Sequence, residues 1–289
     1  MIEIRHLHKS YGKLEVLQGI DLHFEQKGRI AAILGPNGSG KTTLIKSILG
    51  MVLPDRGEIS IDGQAIRGQW AYREHISYLP QIARFPENLS VRELIAMIKD
   101  LRGGQADDMR LIQLFGLEPH LHKRLGNLSG GTKQKVNIVL AFMYDCPTVI
   151  LDEPTSGLDP VAMIHLRELL NEARAQGKTI LLSTHIMSFV EEMADEVVFL
   201  LEGKIRFRGS LQTLKEQYQE ENVERAIAHI LQGEEPAQGN GGKLQATSRK
   251  PQVASPELEM VGSRQLTVGS ANPAFPRLWR GSADETLKP

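Results

Sequence analysis

A glycine-rich stretch near the N-terminus has the residue types and spacing that bind phosphate groups. Residues 35–42, GPNGSGKT, fit the pattern G-x-x-x-x-G-K-[ST] between an apolar strand and a helix. The glycines let backbone N–H groups turn inward, and the helix N-terminus adds partial positive charge. We expect Lys41 to reach the β- and γ-phosphates of a nucleotide and the Thr42 hydroxyl to ligate Mg²⁺. A chance glycine loop, or a degenerate site that no longer binds, is the alternative.

Two adjacent acids, Asp152 and Glu153, end a short apolar strand farther along the chain. An acid at the carboxyl end of a strand beside a phosphate loop is where a metal-coordinating carboxylate belongs. We therefore expect Asp152 to hold Mg²⁺, and Glu153 to orient, or accept a proton from, the water that attacks the γ-phosphate. Without the phosphate loop this pair of acids would be a weak signal, because strands often end in exposed acids.

A third segment, LSGG at residues 128–131, opens a helix that extends to about Asp145. Ser129 is a good N-cap residue, and the two glycines that follow it allow a ligand or another backbone to approach closely. Taken alone, the segment indicates only a capped helix after a loop.

Together these segments resemble the ATP-binding cassette (ABC) ATPases, whose signature motif matches LSGG. The other family motifs occur in order at compatible spacing over residues 1–232. They are Tyr11 as the aromatic that stacks on adenine, Gln81 as the glutamine of the loop before the helical subdomain, Ser156–Asp159 as the D-loop and His185 as the switch histidine.

The resemblance implies an ATP-hydrolysing enzyme that uses ATP and Mg²⁺. The implied catalytic residues are Lys41, Glu153 and His185, and the implied metal-binding residues are Thr42, Gln81 and Asp152. The implied nucleotide-binding residues are Tyr11, Gly35, Pro36, Asn37, Gly38, Ser39, Gly40, Lys41, Thr42, Thr43, Gln81, Ser129, Gly130, Gly131 and Asp159.

Some of these residues have other interpretations. The family usually has glutamine where this chain has Thr132, so the contact of this shorter side chain across the nucleotide stays open. Taken singly, Tyr11 is also consistent with a surface tyrosine, and His185 with a structural histidine at a strand end. His6 and His8 alternate onto one strand face and would suit a metal, but no third ligand is in view.

Strands alternate with helices in residues 1–232, which predicts an α/β domain with a parallel sheet and an inserted helical subdomain at about 82–145. The resemblance implies a P-loop NTPase (RecA-like) core with an antiparallel N-terminal β portion. Glu202-Gly203 predicts a hairpin turn, and residues 211–231 predict one closing helix. Residues 233–289 are rich in Gly, Pro and Ser and predict a disordered tail, with a small β appendage as the alternative.

The composition excludes several classes of protein. The 34 Lys and Arg residues balance 35 Asp and Glu residues, so no strong basic field exists to bind nucleic acid, and we expect no nucleic-acid partner. One cysteine, Cys146, excludes an intrachain disulfide and fits a reducing compartment. The apolar runs are all far short of the about 20 residues needed to span a membrane. The resemblance therefore implies a subunit at the cytoplasmic face of a membrane.

The family works as head-to-tail dimers, so the resemblance implies a second copy, or a homologous ATPase subunit, and integral-membrane permease subunits as partners. A non-transport ABC ATPase acting on ribosomes or DNA is the alternative. Within transport, the chain resembles exporter (ABC-2) ATPases, and its phosphate-loop and signature segments resemble the ATPase of the Nos system, which matures the copper sites of nitrous-oxide reductase. Drug, lipid or polysaccharide export are the alternatives.

Overall fold

The structure, a computed structural model, describes residues 1–24 and 28–234. The strands of this part of the chain are β1 Ile2–Tyr11, β2 Leu14–Phe24, β3 Arg29–Leu34, β4 Arg56–Ile61, β5 Gln64–Ala65, β6 Ile76–Leu79, β7 Thr148–Asp152, β8 Thr179–Ser183, β9 Glu196–Leu201 and β10 Lys204–Gly209. The α-helices are α1 Lys41–Ile48, α2 Val91–Arg102, α3 Asp108–Leu114, α4 Gly130–Phe142, α5 Pro160–Ala175, α6 Met187–Met193, α7 Leu211–Tyr218 and α8 Val223–Gln232.

The larger sheet has the strand order β10-β9-β3-β8-β7-β6, and every neighbouring pair except β10-β9 is parallel. Strand β3 contributes to a core on each face of this sheet. Ile30, Ala32 and Leu34 lie in one core, whereas Ala31 and Ile33 lie in the other. Because successive side chains of β3 point into cores on opposite faces, nearly all its residues are apolar and form a continuous run in the sequence. The predicted parallel α/β core is confirmed.

The smaller sheet is antiparallel, with the order β2-β1-β4-β5. Its apolar side chains share one core with those of α1, for example Ile2 and Ile4 with Leu44 and Ile48. The sheet therefore covers the helix that follows the phosphate loop. It confirms the antiparallel N-terminal portion, although β2 was not among the strands predicted from the sequence.

The helical insertion contains α2, α3 and α4 between β6 and β7. Ser90 and Glu93 form a capping box at the start of α2. The Ser90 hydroxyl accepts the Glu93 N–H (3.2 Å), and the Glu93 carboxylate accepts the Ser90 N–H (2.8 Å). The Ser90 N–H, followed by the Ser90 hydroxyl, which donates to the same carboxylate at 2.8 Å, lowers the pKa of Glu93. The capping box fixes the residue at which α2, the first helix of the helical subdomain, begins.

The single closing helix predicted over residues 211–231 is wrong. The chain forms two helices, α7 and α8, because Gln219 adopts a left-handed backbone with φ of 53° that ends the first. The side chain of Asn222 then caps the second by accepting the N–H of Glu224 at 2.7 Å.

The predicted tail lies, apart from Gly233 and Glu234, outside the described residues. Within 1–24 and 28–234, none of the helices has the length and apolarity needed to cross a membrane.

Replacing the capping residue of α2 tests the helix start. We expect Ser90→Ala to lower the free energy of unfolding by about 1 kcal/mol, the usual loss for a serine cap. The lowered pKa of Glu93 means that its bonds contribute above the ordinary carboxyl pKa of about 4 and are lost as the pH falls. Denaturant unfolding at neutral and acidic pH should show a smaller effect in acid. Asn88→Ala, at an exposed position just before the cap, is the control.

Candidate active site

The phosphate loop runs from the end of β3 to the start of α1, and close packing requires glycine at two of its positions. Gly35 (φ 146°) and Gly40 (φ 108°) both have positive φ. A Cβ on Gly35 would lie 2.0 Å from the Leu200 carbonyl oxygen, and one on Gly40 would lie 2.8 Å from the Val16 carbonyl oxygen. The loop is therefore pressed against β9 on one side and β2 on the other.

The inside of the loop is polar and is organised around Lys41. Its ammonium donates to the carbonyl oxygens of Gly35 (2.7 Å) and Pro36 (3.1 Å). Burial lowers the pKa of Lys41, while the carboxylates of Glu153 and Asp152 act in the opposite direction. Both acids therefore lie close enough to the ammonium to affect its pKa, as residues of one shared phosphate site would.

The other loop residues differ in exposure. Pro36, Asn37 and Gly38 face solvent, and Thr43 is half-buried. The hydroxyl of Ser39 is buried and has no hydrogen-bond partner among the described residues. A buried hydroxyl without a partner inside a phosphate-type loop fits a site whose remaining bond is made to a bound oxyanion.

Asp152 joins the phosphate loop to the neighbouring strand end. Its carboxylate accepts the Thr42 hydroxyl at 3.1 Å through Oδ2 and the Ser183 hydroxyl at 2.5 Å through Oδ1. Asp152 is 1% exposed, so these bonds offset the cost of burying the carboxylate. The sequence predicted Thr42 and Asp152 as one site, and the structure brings them together.

Glu153 is held in an unusual backbone conformation, with φ of 52°. Its N–H donates to both the carbonyl and the hydroxyl oxygen of Ser183, each at 3.1 Å. Its carboxylate is 2.9 Å from the Nδ1 of His185, whose ring is largely exposed. An ionised carboxylate can only accept, so in this pair the imidazole is the donor. Glu153 and His185, predicted separately, form one hydrogen-bonded unit.

Gln81 is exposed just after the end of β6, a direct neighbour of β7. Because these strands are parallel, Gln81 lies at the same sheet edge as Asp152. Burial, with a smaller contribution from the Asp152 carboxylate, raises the pKa of nearby Tyr78 to about 12.

Tyr11 is half-exposed at the end of β1, where the Lys9 ammonium lies 5.5 Å from its ring centre.

The signature segment faces solvent at the N-terminus of α4. The Ser129 hydroxyl accepts the Thr132 N–H at 3.3 Å and lies 2.9 Å from the Thr132 hydroxyl. Ser129 and Gly130 are exposed, and Gly131 is half-buried. Within residues 1–24 and 28–234, no hydrogen bond joins this segment to the phosphate loop. Thr132 thus supports the cap of its own helix, a role that the sequence did not indicate.

Asp159 caps α5 and contacts the signature helix. Its Oδ1 accepts the Ala162 N–H at 2.9 Å, and its Oδ2 is 2.6 Å from the Lys135 ammonium. The Lys135 hydrogen bond, followed by the Ala162 bond, lowers the pKa of Asp159. In the isolated chain this carboxylate is therefore occupied by protein partners.

Two functional side chains were missed in the sequence. Ser183 bonds both acids, and its only signal was a polar residue ending an apolar strand two positions before His185. Gln134 donates to the backbone beside Glu153, and nothing in its local pattern marks it. The rings of His6 and His8 contact different carboxylates, Asp21 and Glu15, and within residues 1–24 and 28–234 no third ligand joins them.

The partnerless hydroxyl of Ser39 gives opposite expectations for stability and binding. We expect Ser39→Ala to leave the melting temperature of the nucleotide-free chain unchanged or raised, because an unsatisfied buried group costs about 1–3 kcal/mol. We expect it to weaken ATP binding roughly ten-fold, since a hydrogen bond to a charged group contributes about 1.5–3 kcal/mol. Thermal melting and nucleotide titration measure the two effects.

Ser47→Ala is the matched control, because the buried Ser47 hydroxyl donates to the Thr43 carbonyl at 2.8 Å. It should lower the melting temperature and leave ATP affinity nearly unchanged. A Ser39→Ala chain that is destabilised and binds ATP normally would contradict the proposed role of this hydroxyl.

Comparison with known proteins identifies relatives of this arrangement. A family profile described as ABC transporter matches residues 17–156, and one for an AAA domain matches residues 124–191. The lantibiotic transport ATP-binding protein SrtF of Streptococcus pyogenes is 34% identical over 209 residues, 71% of this chain and 89% of SrtF. The Nod factor export ATP-binding protein I of Burkholderia orbicola (strain AU 1054) is 34% identical over 221 residues, 74% of this chain and 72% of that protein.

Solved structures show the same fold. The ATP binding subunit of an ABC transporter matches with a TM-score of 0.73 and 32% identity, over 80% of this chain and 99% of that one. A dimeric, post-hydrolysis structure of the ATP-binding cassette MJ0796 with ADP and Pi matches with a TM-score of 0.66 and 23% identity, over 73% of this chain and 98% of that one. With sequence identity above 30% across most of two relatives and the expected site geometry, the chain belongs to the ABC transporter family of ATP-binding, ATP-hydrolysing proteins.

Proposed function

We propose that this chain is the ATPase subunit of an ABC exporter and drives a separate permease by ATP-dependent head-to-tail dimerisation. The observation that carries the proposal is that one chain holds two half-sites. The phosphate loop and acids lie at one sheet edge, and the exposed Ser129 and Gly130 lie at the N-terminus of a different element, α4. In a head-to-tail pair, the signature segment of one copy covers the nucleotide bound by the other. The dimeric structure of MJ0796 supports this arrangement by analogy of fold.

The phosphate loop supplies the binding energy for ATP. Lys41, which now bonds two loop carbonyls, is placed to exchange them for β- and γ-phosphate oxygens. Inward N–H groups and the N-terminus of α1 add positive potential. Tyr11, at the end of β1, is half-exposed and free to stack on the adenine ring.

Hydrolysis adds water to the γ-phosphorus and breaks its bond to the β–γ bridging oxygen. Glu153 is placed to orient that water and take its proton on the carboxylate. The hydrogen bond from His185 holds this carboxylate in place. When the γ-phosphate leaves, Ser129 of the partner subunit loses its ligand and the dimer opens.

The residues at the metal position fit Mg²⁺. Thr42 and Asp152 present a hydroxyl and a carboxylate 3.1 Å apart, an all-oxygen pair of the kind that Mg²⁺ binds, often together with waters and phosphates. We propose that these two residues hold the ion with Gln81, which lies at the same sheet edge. Bound by these residues, Mg²⁺ would supply positive charge that neutralises the phosphate oxygens.

The permease is proposed to dock beside Gln81, with the chain at the cytoplasmic face of the membrane. The bridge at residues 84–93 borders a cavity of about 290 Å³ against α4, lined among others by Arg84, Phe85 and Lys133. Ile82, next to Gln81, is 70% exposed, which suits contact with an apolar partner surface. Residues 1–232 would form this nucleotide-binding domain.

The direction of transport that we propose is export. Two relatives, a lantibiotic transport ATP-binding protein and a Nod factor export ATP-binding protein, favour an exporter. A role in copper-site maturation of nitrous-oxide reductase remains a narrower hypothesis, which depends on the resemblance of the phosphate-loop and signature segments to the Nos ATPase. Cargo is recognised by the partner proteins rather than by this domain.

Removing the charge of Glu153 tests the hydrolytic role. We expect Glu153→Gln to bind ATP with nearly unchanged affinity but to hydrolyse it about 10²–10⁴-fold more slowly, the usual range for a lost general base. Because the γ-phosphate then persists, an ATP-bound dimer should accumulate. Phosphate release and size-exclusion chromatography with ATP measure the two effects.

Glu58→Gln, at an exposed carboxylate on β4, is the matched control and should hydrolyse ATP normally. Turnover by Glu153→Gln at the rate of the unaltered chain would remove Glu153 from the mechanism. Loss of turnover with no dimer in ATP would contradict the head-to-tail proposal alone.

Affinity capture from detergent-solubilised membranes tests the partner. We expect the tagged chain to recover an integral-membrane permease. Ile82→Asp should reduce that recovery without changing the ATPase activity of the isolated chain, whereas Leu101→Asp, at an exposed position on α2, should not. Recovery with ribosomes or DNA, and no permease, would favour the non-transport alternative.

A further inference from the structure

The backbone of Glu153 is clamped from two sides. A non-glycine residue with φ of 52° is strained and persists only where its surroundings hold it. On the N-terminal side, the Glu153 N–H is held by Ser183 of β8. On the C-terminal side, the amide of Gln134 donates to the Pro154 carbonyl at 3.0 Å and to the Glu153 carbonyl at 3.5 Å.

Gln134 is an unusual residue for its place. It is 6% exposed on α4, whose buried neighbours are mainly apolar. A buried amide is costly unless it is hydrogen-bonded. Its Nε2 serves the Glu153–Pro154 carbonyls, and its Oε1 lies 3.4 Å from the Asn137 amide. The Gln134 amide N–H groups are thus hydrogen-bonded to the turn whose backbone sets the direction of the Glu153 side chain.

Two further contacts hold the same segments together. A Cβ on Gly131 would lie 2.6 Å from the Gly157 carbonyl oxygen, so the start of α4 lies directly against the loop after Glu153. One helical turn later, the Lys135 ammonium contacts Asp159 at 2.6 Å. The segment 153–159 is therefore attached to α4 at three successive points, and a shift of the helix moves it.

We propose that Gln134 is a positioning residue that fixes the Glu153 carboxylate through its backbone and couples the signature helix to the hydrolytic site of the same subunit. This rests on the proposed roles of Glu153 and Ser129. Ser129 caps α4 only five residues before Gln134. When Ser129 binds the nucleotide of the partner subunit, the position of α4 is fixed, and α4 in turn fixes the backbone of Glu153.

Steady-state ATPase kinetics of Gln134→Met test the proposal, because methionine keeps the length and loses the donor. We expect kcat to fall about ten-fold, less than the about 10²-fold that a 1 Å misplacement can cause. KM and ATP affinity should stay within about two-fold, as for an interaction made in the transition state. Gln134→Leu, which also lacks the donor, replaces it if thermal melting shows that Gln134→Met does not fold.

Val139→Ala is the control for general damage, since it removes a buried side chain of α4 but leaves the Gln134 hydrogen bonds in place. It should lower the melting temperature and retain kcat within about two-fold. An equal loss of kcat in Val139→Ala and Gln134→Met would overturn the proposal, because it would show a general effect of disturbing the helix.

A double-mutant cycle separates positioning from unrelated damage. If Gln134 acts through Glu153, Gln134→Met should not further lower the residual rate of Glu153→Gln in single-turnover assays. A further ten-fold loss would overturn the inference. So would an unchanged kcat in Gln134→Met while Glu153→Gln is impaired. Normal turnover by Glu153→Gln alone would instead overturn the proposed hydrolytic role of Glu153, on which this inference rests.

Discussion

The parallel pairing of β7 with β8 sets Asp152 beside Ser183, and the hydrogen bond between these two side chains organises the rest of the site. The Ser183 hydroxyl donates to Asp152 and accepts the N–H of Glu153, so one buried group fixes two acids with different tasks. The second oxygen of Asp152 then reaches Thr42 in the phosphate loop. Strand register thus links the position of the phosphate loop to that of the Glu153 backbone.

The same arrangement requires strain and close packing elsewhere. Glu153 adopts a left-handed backbone because its N–H is fixed by β8 and its carbonyl side by α4. Gly35 and Gly40 let the phosphate loop lie against β9 and β2. Both features are tolerated only because the sheet is buried on two faces, which prevents these segments from relaxing.

Much of the fold and the site followed from local patterns. The continuous apolar run of β3, the glycine loop and the helix after it indicate a strand–loop–helix unit without any distant contact. The acids after β7 and the histidine after β8 were recognisable because parallel strands end at one edge. The break at Gln219 was missed because helical patterns lie on both sides of it, and the left-handed turn is a property of one residue only.

The sequence by itself determined the motifs, their order and therefore the family, because phosphate loops, caps and buried strands are encoded within a few neighbouring residues. Only the tertiary structure decided which side chains hold the site in place. Ser183 with Asp152, Gln134 with the turn at Glu153, and Lys135 with Asp159 are pairs separated by 19 to 31 positions. Such contacts depend on strand register and helix packing, to which no local pattern is sensitive.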